Sequence, residues 1–161
     1  MAKKTKTNAC RILDRQKIAY TIHEYYDTEA TSGTEVARIL GEEENRIFKT
    51  LVLQGKSGDH YVMVIPSPCV IDLKKAATAV GEKSIAMIPQ KELEPLTGYV
   101  HGGCSPVGMK KTFRTLVHPS ARDFKTIFIS GGRIGLQLEI DVQDLEKAIP
   151  LEYEDMTGSL K

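Results

Sequence analysis

The chain has 161 residues, of which 41% are hydrophobic and 27% are charged, as is usual for a soluble globular domain of ordinary size. Its 22 basic and 21 acidic residues give a net charge of +1, which excludes a protein that coats long nucleic acid by bulk charge but allows a local basic patch. No apolar segment approaches the roughly 20 residues needed to span a bilayer, and the basic start of the chain, 1–6, is followed by no apolar run typical of a secretory signal. We therefore expect a cytoplasmic protein without a membrane partner, with residues 1–6 flexible.

The three cysteines are Cys10, Cys69 and Cys104. Their number is odd and none of their spacings matches CxxC, which favours free thiols in a reducing compartment. The same spacings supply no set of four zinc ligands. We therefore predict no metal site and no cofactor.

Local signals predict short helices and strands in alternation. Ser32 with Glu35 forms a capping box at the start of one helix, Asp72 and Asp141 are N-cap residues of two others, and Gly81 ends the first of these. The predicted helices are 8–17, 34–40, 73–80, 89–93 and 142–148, and 27–33 is a polar loop. Runs of β-formers, with clear alternation at 20–25 and 135–140, predict strands at 20–25, 48–53, 61–66, 84–88, 115–118, 126–130 and 135–140. This mixture predicts a single α/β domain of the α+β type, with a mixed, mostly antiparallel sheet and helices around it.

Two glycine-rich segments stand out, at 98–111 and at 130–135. Such a turn is either a tight structural corner or a surface shaped for a ligand. Neither segment matches a Walker A or a dinucleotide-binding fingerprint, because the first lacks the Gly-Lys-Ser/Thr ending and opens no periodic helix. Their backbone N–H groups could instead form a nest for a carbonyl oxygen or a phosphate.

Side chains in and near the first glycine segment offer two candidate nucleophiles. Cys104 with His101 suggests a cysteine hydrolase, but a spacing of three residues in an extended loop favours side chains that diverge. Ser105 is not surrounded by a Gly-x-Ser-x-Gly elbow. Both are weaker hypotheses than a backbone nest.

Lys49 is the most informative charged residue, because it lies between Ile47-Phe48 and Leu51-Val52-Leu53 on a predicted strand. It is either a solvated edge charge or a cation aimed into a cleft at an anionic group. Lys110, Lys111 and Arg114 follow the glycine segment; they could form a phosphate-binding rim or simply a solvated face.

Four separate motifs in the same order resemble the YbaK/EbsC family, the free-standing relatives of the editing domain in bacterial prolyl-tRNA synthetases. They are Phe48-Lys49-Thr50-Leu51-Val52, Asp72-Leu73-Lys74-Lys75, the segment 97–108 and Ile129-Ser130-Gly131-Gly132-Arg133. The resemblance covers about residues 8–148. It implies the fold of that family, with a partial barrel, and deacylation in trans of mischarged tRNA, chiefly Cys-tRNA(Pro) and also Cys-tRNA(Cys). It also implies aminoacylated tRNA, and prolyl-tRNA synthetase in a ternary complex, as partners.

The resemblance also implies roles for individual residues. Lys49 falls on the essential lysine of the family. The implied substrate-binding residues are Tyr25, Gly102, Gly103, Cys104, Ser105, Pro106, Ser130, Gly131, Gly132 and Gln137. Contacts to tRNA phosphates are expected from Lys110, Lys111, Arg114 and Arg133. In this family the cysteine thiol of the substrate is thought to attack its own ester, so that no protein nucleophile is needed.

Two positions depart from the family pattern. Gln137 stands where YbaK has an aspartate, so an amide replaces a carboxylate that could take up a proton. Cys104 stands where relatives have an apolar residue, which favours a pocket wall over a nucleophile. Two alternatives follow: a module that binds the tRNA acceptor end or a synthetase complex without chemistry, and a hydrolase that depends on Cys104.

Overall fold

The computed structural model describes residues 6–25 and 33–158. The helices of these residues are α1 (Asn8–Arg15), α2 (Gly33–Leu40), α3 (Leu73–Val80), α4 (Gln90–Thr97) and α5 (Val142–Ala148). The strands are β1 (Thr21–Glu24), β2 (Phe48–Gly55), β3 (His60–Pro66), β4 (Val70–Ile71), β5 (Ile85–Met87), β6 (Arg114–Val117), β7 (Thr126–Ser130), β8 (Leu136–Asp141), β9 (Glu152–Tyr153) and β10 (Thr157–Gly158). No helix in this part of the chain is long and apolar enough to cross a membrane.

The predicted helix caps are confirmed where the structure describes them. The Asp72 side chain accepts hydrogen bonds from the backbone N–H groups of Lys74 and Lys75, and α3 ends at Gly81, whose φ of 78° is left-handed. Asp141 caps α5 in the same way. Ser32, the first residue of the predicted capping box, and the predicted loop up to residue 32 lie outside the described residues, as do residues 1–5.

Two helix ends differ from the prediction. The helix α1 stops at Arg15 rather than at Lys17, because Lys17 adopts a left-handed φ of 60°. The helix α4 was predicted to end at Leu93 but continues to Thr97, with Pro95 inside it and Gly98 at its C-cap. The Thr97 hydroxyl donates to the Leu93 carbonyl at 2.8 Å, which satisfies a carbonyl of the last turn.

The strands form three sheets, and the predicted mixed, mostly antiparallel arrangement is confirmed. The five-stranded sheet has the order β5-β2-β3-β6-β9, in which β6 runs parallel to both of its neighbours and the other pairs are antiparallel. The antiparallel three-stranded sheet has the order β1-β8-β7, and β10 pairs with β4. No sheet of the described residues closes into a barrel. The strands β4, β9 and β10 were not predicted, because two residues are too few to show alternation.

The two central strands, β2 and β3, have a hydrophobic core on each face. Val62 and Val64 of β3 belong to a cluster with α1, α5 and the three-stranded sheet. Met63 and Ile65 point to the opposite face and pack with α3 and with Met156 near the end of the described chain. Both faces of the strand pair are covered, but β5 pairs only with residues 53–55 of β2 and leaves the preceding part of that edge open to a ligand.

Candidate active site

A cavity of about 400 Å³ runs along that edge of β2. Five consecutive residues of β2, 48–52, line it. Successive side chains of a strand point to opposite faces, so a cavity lined by five in a row must follow the strand edge rather than one face. The other lining residues are Tyr25, Val36, Ile47, Ser67, Met87, Ile88, Gln90, Leu93, His101, Gly102, Cys104, Ser130 and Gln137.

Lys49 brings the positive charge into this cavity. Its side chain is partly buried, and that burial lowers the pKa of its ammonium group from the usual 10.5. Among residues 6–25 and 33–158 no carboxylate forms an ion pair with it, which leaves the charge available for an anionic ligand. Of the two predictions for this lysine, the structure thus favours a cation in a cleft over a solvated edge charge.

The first glycine segment presents only part of its predicted site to the cavity. Gly102 and Cys104 line it, together with the exposed imidazole of His101. Gly103 and Ser105 are buried behind them, and the Ser105 hydroxyl accepts a hydrogen bond from a backbone N–H two residues later in the same loop. Pro106 borders a separate cavity of about 230 Å³.

The second glycine segment contributes Ser130, which lies at the end of β7 and lines the cavity. Its hydroxyl accepts a hydrogen bond from Gly132 N–H at 3.2 Å. Gly131 and Gly132 do not line the cavity. A Cβ on Gly132 would lie 2.8 Å from the Tyr99 ring, so this glycine allows the two glycine segments to approach each other.

Tyr25 and Gln137 form the end of the cavity near the three-stranded sheet. Both are buried, and the Gln137 amide nitrogen lies 3.5 Å from the Tyr25 hydroxyl. Gln137 Oε1 and Thr50 Oγ1 are buried and have no hydrogen-bond partner in the described part of the chain. Since nearly all buried polar atoms in proteins are paired, these two atoms are the groups of the cavity that a polar ligand or a water would satisfy.

The four predicted phosphate-binding cations do not line the cavity. Lys110 donates to the Pro95 carbonyl at 3.3 Å, and Lys111 borders the smaller cavity. Arg114 holds the Glu152 carboxylate with two hydrogen bonds of 2.7 and 3.0 Å. Arg114 is in register with Tyr61 of β3, whereas Lys49 is in register with Ile65 of the same strand. These two positions of β3 are four residues apart, which corresponds to about 13 Å along the strand. Arg133 is likewise absent from the cavity lining, and contacts of these cations to tRNA remain predictions.

Cys104 has the chemistry of a packing residue. It is 6% exposed, and burial raises the pKa of its thiol to about 12. At neutral pH the group is a thiol rather than a thiolate, so it lacks the charge that a nucleophile or a metal ligand needs. The structure therefore opposes a hydrolase that depends on Cys104.

The sequence did not single out three polar residues of the cavity lining: Thr50, Ser67 and Gln90. For Thr50 a signal was present, because it is a polar residue inside an apolar strand directly after Lys49. Ser67 and Gln90 reach the cavity only through the tertiary arrangement of a turn and a helix start.

The aminoacyl-tRNA editing domain family matches residues 27–148. This chain belongs to that family. The chain is 44% identical over 144 residues to a protein of Enterococcus faecalis named "Putative Cys-tRNA(Pro)/Cys-tRNA(Cys) deacylase EbsC", a match that covers 87% of this chain and 88% of that protein. A proline–tRNA ligase of Thermosipho melanesiensis is 32% identical over 117 residues, which cover 68% of this chain but 20% of the ligase. The resemblance predicted from the four motifs is confirmed.

Solved structures agree with the fold of this editing domain. A crystal structure of a "putative trans-editing enzyme for prolyl tRNA synthetase" has a TM-score of 0.82 at 21% identity and covers 97% of this chain. The hypothetical protein APE2540 has a TM-score of 0.86 at 22% identity over 94% of this chain. Both matches cover 100% of the solved chain, so the predicted fold class is confirmed.

Proposed function

We propose that this editing domain is an aminoacyl-tRNA deacylase that hydrolyses mischarged Cys-tRNA(Pro), with Cys-tRNA(Cys) as a second substrate. The observation that carries the proposal is the cavity along β2, which brings Lys49, Gly102 and Ser130 together although they are far apart in the sequence. The relative with 44% identity, which matches over nearly its whole length, supports the substrate class.

The cavity suits the end of an aminoacyl-tRNA. Its volume of about 400 Å³ is in the range of small-molecule sites and can hold an amino acid with part of the terminal ribose. Val52, Leu93 and Cys104 give it an apolar wall for a small side chain. The Lys49 ammonium faces the same space and can hold the terminal phosphate or the ester oxygens.

Backbone donors of the first glycine segment complete the proposed site. Within this segment the N–H of Gly103 donates to Val100 O at 3.0 Å, and that of Val107 to Ser105 Oγ at 3.2 Å. In the described residues the N–H groups of Gly102 and Cys104 donate no hydrogen bond, and both residues line the cavity. These two donors can hold the ester carbonyl and the negative charge that develops on it.

The absence of an activated nucleophile among the described lining residues favours substrate-assisted hydrolysis. The cysteine thiol of the substrate attacks its own ester carbon, a C–S bond forms, the C–O bond to the ribose breaks, and the thiol proton passes to the leaving 3′ oxygen. Water then opens the cyclic thioester and releases free cysteine. The protein contributes positioning and charge stabilisation, which can account for most of the rate.

A deacylation panel tests the proposal. Catalytic amounts of the protein are incubated with Cys-, Ala-, Ser- and Pro-tRNA(Pro), and the release of free amino acid is followed over many turnovers. We expect turnover of Cys-tRNA(Pro) and much slower release from Pro-tRNA(Pro). Tight binding of all four without turnover would instead identify a module that only binds the acceptor end.

Basic residues outside the cavity are proposed to contact the tRNA. Lys110 and Lys111 are exposed on the segment that follows the cavity wall at Cys104, and Arg133 follows Ser130. Contacts to phosphates make affinity fall with salt. Replacing both Lys110 and Lys111 by alanine should therefore reduce the slope of log KM against log salt concentration by the amount expected for about two phosphate contacts, with kcat retained. The same measurement with prolyl-tRNA synthetase present tests whether the synthetase is a partner.

A further inference from the structure

The main chain of β2 presents its polar groups alternately to its two edges. Ser67 N–H donates to Ile47 O at 2.7 Å, so odd-numbered residues face β3. Ile88 N–H donates to Val52 O at 3.2 Å, so even-numbered residues face the opposite edge. In an antiparallel ladder the N–H and C=O of one residue point the same way. Both groups of Thr50 therefore face the edge along which the cavity runs.

This edge is occupied at both ends and open in the middle. At one end Ile47 forms an isolated parallel bridge with Phe128 of β7, and at the other β5 joins at Leu53, which is in register with Met87. Thr50 lies between them. Among residues 6–25 and 33–158 its ladder partner is Val64 on the β3 side, and the pairing with β5 begins only at Leu53. No loop or turn of these residues bonds to its N–H or C=O, and its hydroxyl is one of the two buried orphans. One rung of a β-ladder is thus missing where the cavity lies.

A ligand that completes this rung needs a donor and an acceptor spaced as in one amino-acid residue. An aminoacyl ester has both: its α-amine can donate to Thr50 C=O, and its carbonyl oxygen can accept from Thr50 N–H. Added strands bind sheet edges in this way, through main-chain groups that do not depend on the side chain. We propose that the amino-acid part of the substrate pairs with Thr50 as a single β-residue. This inference rests on the proposed function and specifies how the substrate is held.

The pairing divides recognition into two parts. Thr50 would recognise the amine and carbonyl that every aminoacyl ester has, whereas the apolar wall at Val52, Leu93 and Cys104 would select the side chain. Thr50 N–H would also join the N–H groups of Gly102 and Cys104 around the carbonyl oxygen. The α-amine, which no chemical step uses, then contributes to binding about as much as one hydrogen bond.

A substrate without the amine provides the first arm of the test. 3-Mercaptopropionyl-tRNA(Pro) keeps the thiol and the ester of cysteinyl-tRNA(Pro) and lacks only the amine. Each enzymatic rate is divided by the spontaneous hydrolysis rate of the same ester, which corrects for the different reactivity of the two esters. We expect the acceleration to be about tenfold smaller for the substrate without the amine, as for the loss of one hydrogen bond to a charged or polar group.

Backbone esters provide the second arm, with a matched control in the same strand. Replacing Leu51 by its α-hydroxy acid turns the Thr50 carbonyl into an ester carbonyl, a weaker acceptor, and removes the Leu51 N–H that faces β3. The same replacement at Leu53 also removes an N–H facing β3, but it alters the Val52 carbonyl, which Ile88 already occupies. We expect the Leu51 ester to slow the deacylation of cysteinyl-tRNA and to leave that of the substrate without the amine unchanged. The Leu53 ester should change the deacylation rates of both substrates by the same factor. Equal behaviour of the two ester variants would overturn the pairing.

A binding measurement separates this inference from the proposed function. The probes are acceptor-stem RNAs that carry cysteine, or 3-mercaptopropionate, on a non-hydrolysable 3′-amide. If no tRNA is turned over but the cysteinyl amide binds about tenfold more tightly than the 3-mercaptopropionyl amide, the deacylase proposal fails and the pairing stands. If both esters are accelerated equally and both amides bind equally, the deacylase stands and the pairing is wrong.

Discussion

The contact between the two glycine segments is tested most directly at Gly103. A Cβ at this position would lie 2.9 Å from the backbone nitrogen of Ile134 and 3.0 Å from two backbone atoms of Arg133. Backbone atoms cannot swing aside like a flexible side chain, so Gly103→Ala must push the segments apart by about half an ångström. Overpacking of this kind costs about 1–3 kcal/mol of unfolding free energy. Because Gly102 and Ser130 lie on the two separated segments, turnover should also fall by about 10- to 100-fold.

Urea denaturation and the deacylation assay measure these two effects. Gly158→Ala is the matched control, since the nearest atom of residues 6–25 and 33–158 to its Cβ would be 3.8 Å away and its φ is not left-handed. We expect the control to stay within about 0.5 kcal/mol of the wild type, as for ordinary surface substitutions. A Gly103→Ala variant with wild-type stability and wild-type turnover would show that the two segments do not depend on this contact.

Three further predictions concern single side chains. Lys49→Met should lower turnover by about 100-fold or more and leave the unfolding free energy at pH 7 equal or higher, because burial disfavours the ammonium; a variant that unfolds more easily would contradict this placement. Cys104→Ala should keep turnover while losing about 1 kcal/mol of stability from a small buried cavity, and the wild type should keep its turnover after treatment with iodoacetamide. Loss of activity in the variant would restore the hypothesis that Cys104 is a nucleophile. The pKa of Glu139 is lowered below its usual 4.5, chiefly by a hydrogen bond from Thr126 and further by a hydrogen bond from His23 and the charge of Arg46. The contribution of Glu139 to stability is therefore present above about pH 4.5 and is lost as the pH falls through its folded-state pKa. The stability difference between wild type and Glu139→Gln, followed by denaturation from pH 7 to pH 3, should therefore shrink on the acid side, and a constant difference would refute the assignment.

Local chemistry made much of the fold predictable. Asp72 and Asp141 cap helices because their short carboxylates reach the first free N–H groups, and this needs no tertiary contact. The runs of β-forming residues along β2, β3, β7 and β8 are also a local pattern and predicted these strands to within two residues. The end of α4 was not predictable in this way, because the buried Leu93 and Thr97 hold the helix together across Pro95.

The candidate site was predictable only in part. The resemblance pointed to Lys49, Tyr25 and Gln137, and the structure brings them to one cavity. Thr50 was missed because its importance lies in its main chain, whose direction depends on which edge of β2 is left open. That edge is set by the positions of β5 and β7, which the sequence of β2 does not contain.

Met156 affects the order in which the molecule can be completed during synthesis. Its side chain is fully buried in the core formed by residues of β2, β3, α3 and β6, although the last of these elements ends about forty positions earlier. A ribosome makes the chain from its N-terminus, so this core stays open on one side until residue 156 has left the exit tunnel. The edge of β2 that borders the cavity can therefore be assembled before this core is sealed, and nascent chains should acquire protease resistance in two steps.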